Sequence, residues 1–238
     1  MSRRSVDVTP SLADAEGRVH ATIPFSPSQV TGAGALRGRN TVSVGELAIP
    51  DRARSEYDQA QKKLSRQDVP GATNHLKRAV ELAPQHMAAW TELGTLAARG
   101  RNWVEAETYY RKALELRPGA VMLTLNLAGV LIYLRKYEEA LGYNRFAVER
   151  SPNNALANAQ LGMTYFLLER DDEALKYLKI AKSLDPSHYS HPQLALADIY
   201  LKRGDQAAAT GEFEDFLARH PDAPNAQKVR EEIARIKR

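Results

Sequence analysis

From about residue 51 onward, apolar positions recur at helical spacing in short segments, and every second segment closes on a proline. "RKALELRP" and "KIAKSLDP" show the pattern: a run with helical spacing, then a residue that cannot continue a helix. Before residue 50 no helical period is visible. The first fifty residues are rich in Gly, Ser, Thr and Pro, and "QVTGAGALRGRN" has the composition of a linker. Val42 and Val44 alternate with polar residues, which predicts one strand over 41–49. A lone strand is not stable by itself, so residues 1–49 are expected to be poorly ordered or partly β. The last fifteen residues, "PNAQKVREEIARIKR", carry one apolar stripe, Val229, Ile233 and Ile236, on an otherwise charged helix.

The closing prolines are evenly spaced. Pro84, Pro118, Pro152 and Pro186 stand 34 residues apart, and Pro221 follows after 35. Twelve residues before each stands an alanine: Ala72, Ala106, Ala140, Ala174 and Ala209. Small residues at Gly94, Ala128, Gly162 and Ala197 follow a leucine at matching register, where they let two helix backbones approach closely. A unit of this length cannot bury its apolar face alone, so neighbouring units must supply the core.

These residues resemble the tetratricopeptide repeat family. The second unit matches best, with "WTELG" from Trp90, then Ala106, Tyr110, Ala113 and Pro118. The resemblance covers about residues 51–223 and implies an all-α fold, a right-handed superhelical solenoid of five helix-turn-helix repeats. The expected units are 53–86, 87–120, 121–154, 155–189 and 190–223, within an array over 50–223. A capping helix over 224–238 follows, as solenoid ends require. Asn144 departs from the family pattern, standing where a large apolar residue is usual. The run "VSVGELAIPDRARSEYDQA" also resembles the junction between a β-sandwich module and such an array in bacterial envelope proteins.

"VMLTLNLAGVLIYL", residues 121–134, carries no charge. It is too short to span a membrane, which takes about 20 apolar residues. It reads as a helix that is apolar nearly all round. The resemblance implies that the first helix of each unit lines a concave groove. Leu127, Ala128 and Leu131 then belong to the core. Met122, Leu125, Asn126, Ile132 and Tyr133 fall in the inward columns, joined by Leu156, Gln160, Met163 and Phe166 of the fourth unit. The second unit is more polar at these columns, with Glu92, Thr95 and Arg99. A subgroup of the family grips C-terminal carboxylates with a Lys, Asn and Arg clamp. Here Asn126 stands in an Asn column, but Glu92 and Gln160 flank it in neighbouring units, so that clamp is not expected.

Composition removes several chemistries. The chain has 238 residues and no cysteine, which excludes disulfides, thiolate metal sites and cysteine nucleophiles. Its 33 basic and 29 acidic residues leave a net charge of +4, too balanced to argue for nucleic acid by itself. Arg99, Arg101, Arg111 and Lys112 cluster, but Glu105 and Glu107 interleave with them. Gly32, Gly34 and Gly38 lack the spacing and following helix of a phosphate loop. His188 and His191 fall in a turn without a third ligand and read as solvated turn residues. Asp171 and Asp172 read as a helix N-cap. No cofactor, metal or small-molecule substrate is expected, and no enzyme.

The resulting expectation is a non-catalytic scaffold that binds a protein or peptide through an apolar patch on repeats three and four. The alternative is a self-association module, a homo-oligomer whose contact is that patch. A helical-repeat nucleic-acid binder ranks below both. No signal peptide is visible, which makes the cytoplasm the default location, and a periplasmic or envelope location the alternative if the chain belongs to a longer exported protein.

Overall fold

The computed structural model describes residues 49–188 and 190–237. The strand expected over 41–49 and the linker before it lie outside the described residues, apart from Ile49. The described residues form eleven helices and no strand. They are α1 (Asp51–Ser65), α2 (Val69–Leu82), α3 (Met87–Arg99), α4 (Trp103–Leu116), α5 (Val121–Tyr133) and α6 (Tyr137–Arg150), followed by α7 (Ala155–Leu167), α8 (Asp171–Leu184), α9 (Pro192–Lys202), α10 (Gln206–Arg219) and α11 (Ala226–Ile236). The fold is all-α, a solenoid of helix-turn-helix repeats. It divides into two compact units, up to Ala89 and from Trp90.

In the first unit, α1 and α2 form an antiparallel hairpin. Asp68 caps α2 by accepting the Gly71 amide at 2.9 Å, and Pro70 fits the first turn, where its missing N–H costs nothing. Ala53, Ala60, Ala72 and Ala79 are fully buried, and Ile49 clusters with Ala53 and Ala83.

In the second unit the pairs α5–α6, α7–α8 and α9–α10 are hairpins, and each second helix touches the first helix of the next pair. The second helices end two residues before a proline. The intervening residues Arg117, Ser151, Asp185 and His220 have φ between −133 and −148° and positive ψ, outside the α region that a following proline disfavours. The loops are then fastened by amides. Asn158 Nδ2 donates to the Pro152 carbonyl at 2.7 Å, and Gln193 Nε2 donates to that of Pro186 at 2.7 Å.

Two glycines set the closest helix approaches. A Cβ on Gly94 would lie 2.7 Å from the Tyr110 ring, and one on Gly162 would lie 2.7 Å from Leu178 Cγ and 2.9 Å from its backbone nitrogen. Within each hairpin the turn contains one left-handed residue. Arg101, Arg135 and Glu169 have φ of 58–59°, and Gly204 has 75°.

Asp171 and Asp172 correct the N-cap expectation. The cap of α8 is Arg170, and no side chain caps the helix. The two carboxylates instead reach the following hairpin, Asp172 to Arg203 at 2.7 Å and Asp171 to Lys202 at 3.4 Å. The histidine expectation also needs correction. His188 is buried and His191 half-buried, packed against α10 rather than solvated.

Candidate functional site

Helix α5 sorts its apolar side chains sharply. Leu123, Leu125, Leu127, Val130 and Leu131 are buried. Met122 is 55% exposed and Tyr133 67% exposed. These two are eleven residues apart, about three turns, so they share one face of the helix about 16 Å apart. Asn126 and Gly129 lie between them on the same stripe. The matching stripe of α7 is Leu156, Gln160, Met163 and Leu167, all half-buried. The two helices are in contact. Gly129 permits this: a Cβ there would lie 3.3 Å from Gln160 Nε2, so the Gln160 amide rests against a bare stretch of α5.

The predicted residues therefore separate into groups. Met122 and Tyr133 are exposed, and Asn126, Ile132 and Gln160 are half-buried beside them. Leu156 packs partly against Leu125, Ala147 and Ala157. Met163 and Phe166 pack partly onto the core around Leu161, Leu175 and Leu196. The Lys202 ammonium covers the Phe166 ring at 4.6 Å. Leu125 does not reach the surface. It is fully buried, because the small residues Ala147 and Ala157 leave room for it between helices.

Tyr133 has a partner that was not foreseen. Its ring stacks in parallel on Trp103 at 4.1 Å. Val104, beside Trp103, is 69% exposed, so the apolar surface continues from α5 onto the start of α4. A shallow depression of about 440 Å³ lined by Arg101, Trp103, Val104 and Leu134 adjoins it.

A second surface was also missed. A cavity of about 510 Å³ is lined by Leu114, Pro118, Thr124, Gly142, Tyr143 and Phe146, with Glu138 and Glu139 at its edge. Thr124 is two residues from both Met122 and Asn126, about 200° round the helix, so this cavity opens on the other side of α5. Its sequence signal was Gly142. A Cβ there would meet nothing within 4 Å, which leaves a gap between α4 and α6 that Tyr143 and Phe146 only partly fill.

The basic residues near these surfaces are largely committed. Arg111 donates to Glu107, Glu139 and Tyr143, and Lys136 to Glu107. Burial opposes ionisation of Glu107, but its hydrogen bonds to Lys136 and Arg111 outweigh that and hold its carboxyl below the usual range. Lys182 is treated similarly: burial would depress its ammonium, yet Glu212 and Asp215 raise it. Lys112 pairs with Glu115 at 3.0 Å. Among the described residues no group of three His, Asp or Glu side chains is placed to hold a metal, and no helix is long and apolar enough to cross a membrane.

Residues 54–185 match the middle TPR-like domain of cilia and flagella-associated protein 70, and residues 193–223 match the tetratricopeptide repeat. No curated protein matches the sequence. Several solved structures share the fold. MamA from Desulfovibrio magneticus RS-1, residues 41 to its end, is 22% identical, with 74% of this chain and 99% of that one covered at a TM-score of 0.67. PilW, a type IV pilus biogenesis factor, is 19% identical over 79% of this chain and 87% of its own, with a TM-score of 0.68. YrrB, described as having an unusual peptide-binding site, is 23% identical over 75% and 92%, with a TM-score of 0.63. The proline period, the alanine and glycine contacts and these matches agree: the chain belongs to the tetratricopeptide repeat family.

Proposed function

We propose that this chain is a protein-interaction scaffold that takes a partner segment along α5 and α7. The observation that carries the reading is the exposure of Met122 and Tyr133 on one face of a helix whose leucines are all buried. Two apolar anchors about 16 Å apart suit side chains three turns apart on a helix, or about five residues apart on an extended peptide. Asn126 and Gln160, between the anchors, offer amide groups to a partner backbone. Methionine adapts to varied shapes, and the Tyr133–Trp103 stack supplies a rigid wall. YrrB, with a peptide-binding site on the same fold, supports a peptide as the ligand class. The units proposed for this array are 53–86, 87–120, 121–154, 155–189 and 190–223.

The test begins with peptides selected from a displayed library on the full chain. Met122→Asp with Tyr133→Asp should weaken the selected peptides at least a hundredfold while the helical circular dichroism stays unchanged. Undiminished affinity in the folded double variant would sink the proposal. If light scattering shows a dimer that this variant converts to a monomer, the patch is a contact between copies, which is the self-association reading.

A further inference from the structure

We propose that His188, His191 and His220 form an acid-sensitive latch on the last hairpin, one that is closed only while the imidazoles are uncharged. Three observations meet at the α8–α9 turn. First, the Ser190 amide donates to His188 Nδ1 at 3.2 Å, and the Ser190 hydroxyl is 2.7 Å from the same nitrogen. A backbone N–H can donate only to an imidazole nitrogen that carries no proton, so a proton on that nitrogen breaks the bond that shapes the turn. Second, the His191 ring sits edge-on to His220 at 4.3 Å and to Phe216 at 5.2 Å. His191 Nδ1 and His220 Nε2 are both buried without a hydrogen-bond partner. An imidazolium placed there would be desolvated, next to a second imidazole and against an apolar ring. Third, His191 is held left-handed, with φ 48° and ψ 62°, and its amide donates to the His188 carbonyl at 2.9 Å. That conformation is unfavourable for a residue other than glycine, and the ring packing maintains it.

The charged groups on the surrounding elements are either engaged elsewhere or exposed. Asp185 accepts the Ser187 amide. Asp215 of α10 is shared among Lys182 of α8, Arg219 and Gln193. Glu212 pairs with Lys182, and Arg230 of α11 donates to the Pro221 carbonyl. Asp198 lies two turns along α9, where it is exposed, and Asp222 is exposed beyond Pro221. The carboxylates held in these pairs are not free to neutralise a charged His191. Burial, followed by the neighbouring His220 and His188, lowers the affinity of His191 for a proton, in agreement with the geometry.

The sign follows. With a lowered folded value, the latch contributes fully above pH about 6.5, the ordinary histidine value, and is lost as the pH falls below it. Proton uptake withdraws His191 from between Phe216 and His220, releases the turn, and loosens α9 and α10 while α5–α8 stay folded.

Hydrogen exchange of the full chain at pH 7.5 and 5.5, corrected for intrinsic exchange, tests this. Protection over 186–194 and 214–222 should fall at least tenfold more than over 121–150. In His188→Asn with His191→Asn that difference should vanish, since asparagine keeps an acceptor, tolerates the left-handed conformation and does not titrate. An equal fall in all segments, no fall in the wild type, or the same difference in the variant would overturn the proposal. Ring titration by nuclear magnetic resonance in the wild type reads the latch without any substitution. A His191 midpoint below that of histidine in the unfolded chain, with the Ser190 amide shifting in acid, supports it. A His191 midpoint at or above that of the unfolded chain, or a Ser190 amide that stays static in acid, overturns it.

Discussion

At the residue scale, positions that look interchangeable among repeats are not. Gly162 and Ala128 occupy the same register, yet a Cβ on Gly162 would meet the Leu178 backbone nitrogen at 2.9 Å, which no side-chain rotation relieves. Gly162→Ala should therefore cost about 1–3 kcal/mol, the usual range for overpacking, and lower Tm by several degrees in a calorimetric melt. Asn144 presents the opposite case. It is fully buried where Leu76, Tyr110 and Leu178 stand in other repeats, and its Nδ2 donates to Thr164 Oγ1 at 3.0 Å while its Oδ1 has no partner. A buried acceptor without a donor costs about 1–3 kcal/mol. Asn144→Leu should stabilise the fold by about 1 kcal/mol in urea unfolding; a loss of stability would mean that the Thr164 hydrogen bond matters more than the unmet acceptor.

At the element scale, α5 explains both what the sequence made legible and what it hid. The helix-turn-helix repeat was legible in the proline and alanine registers, because a proline stop and a buried alanine each act locally. Which face of α5 would be open was harder to read. A helix apolar nearly all round has a weak stripe, so its sequence alone does not say which leucines the core takes. Leu125 was assigned to the groove, and Met122 and Tyr133 with it; only the last two are exposed, since Ala147 and Ala157 create the space that Leu125 fills. Leu125→Ala should thus cost about 2–5 kcal/mol, read in chemical denaturation, as for other buried leucines. Trp103 was invisible as a site residue because its partner Tyr133 lies thirty residues away, and the histidine turn was misread because polar residues in a turn are ordinarily solvated.

At the scale of the whole molecule, acid should act in two separate windows. Glu107 and Asp215 both have lowered folded values, so the stability they contribute is complete above about pH 4.3 and 3.9 and is lost only below those values. The stability tied to His191, whose folded value is lowered, is lost earlier, as the pH falls below about 6.5. Melts monitored at intervals from pH 7.5 to 3.5 should show a first decline confined to the C-terminal hairpin and a second that involves α4–α6 as well. The ion pairs that bridge hairpins have a further consequence. Lys136–Glu107, Arg170–Glu138, Lys202–Asp171 and Arg203–Asp172 all join the end of one first helix or its turn to the start of the preceding second helix. In a one-dimensional array such pairs add to the apolar couplings between neighbouring units, and screening weakens them while it leaves the apolar contacts unchanged. Raising salt should therefore shorten the length over which unfolding is cooperative: at 1 M sodium chloride the denaturant transition should broaden, its slope falling, more than its midpoint moves.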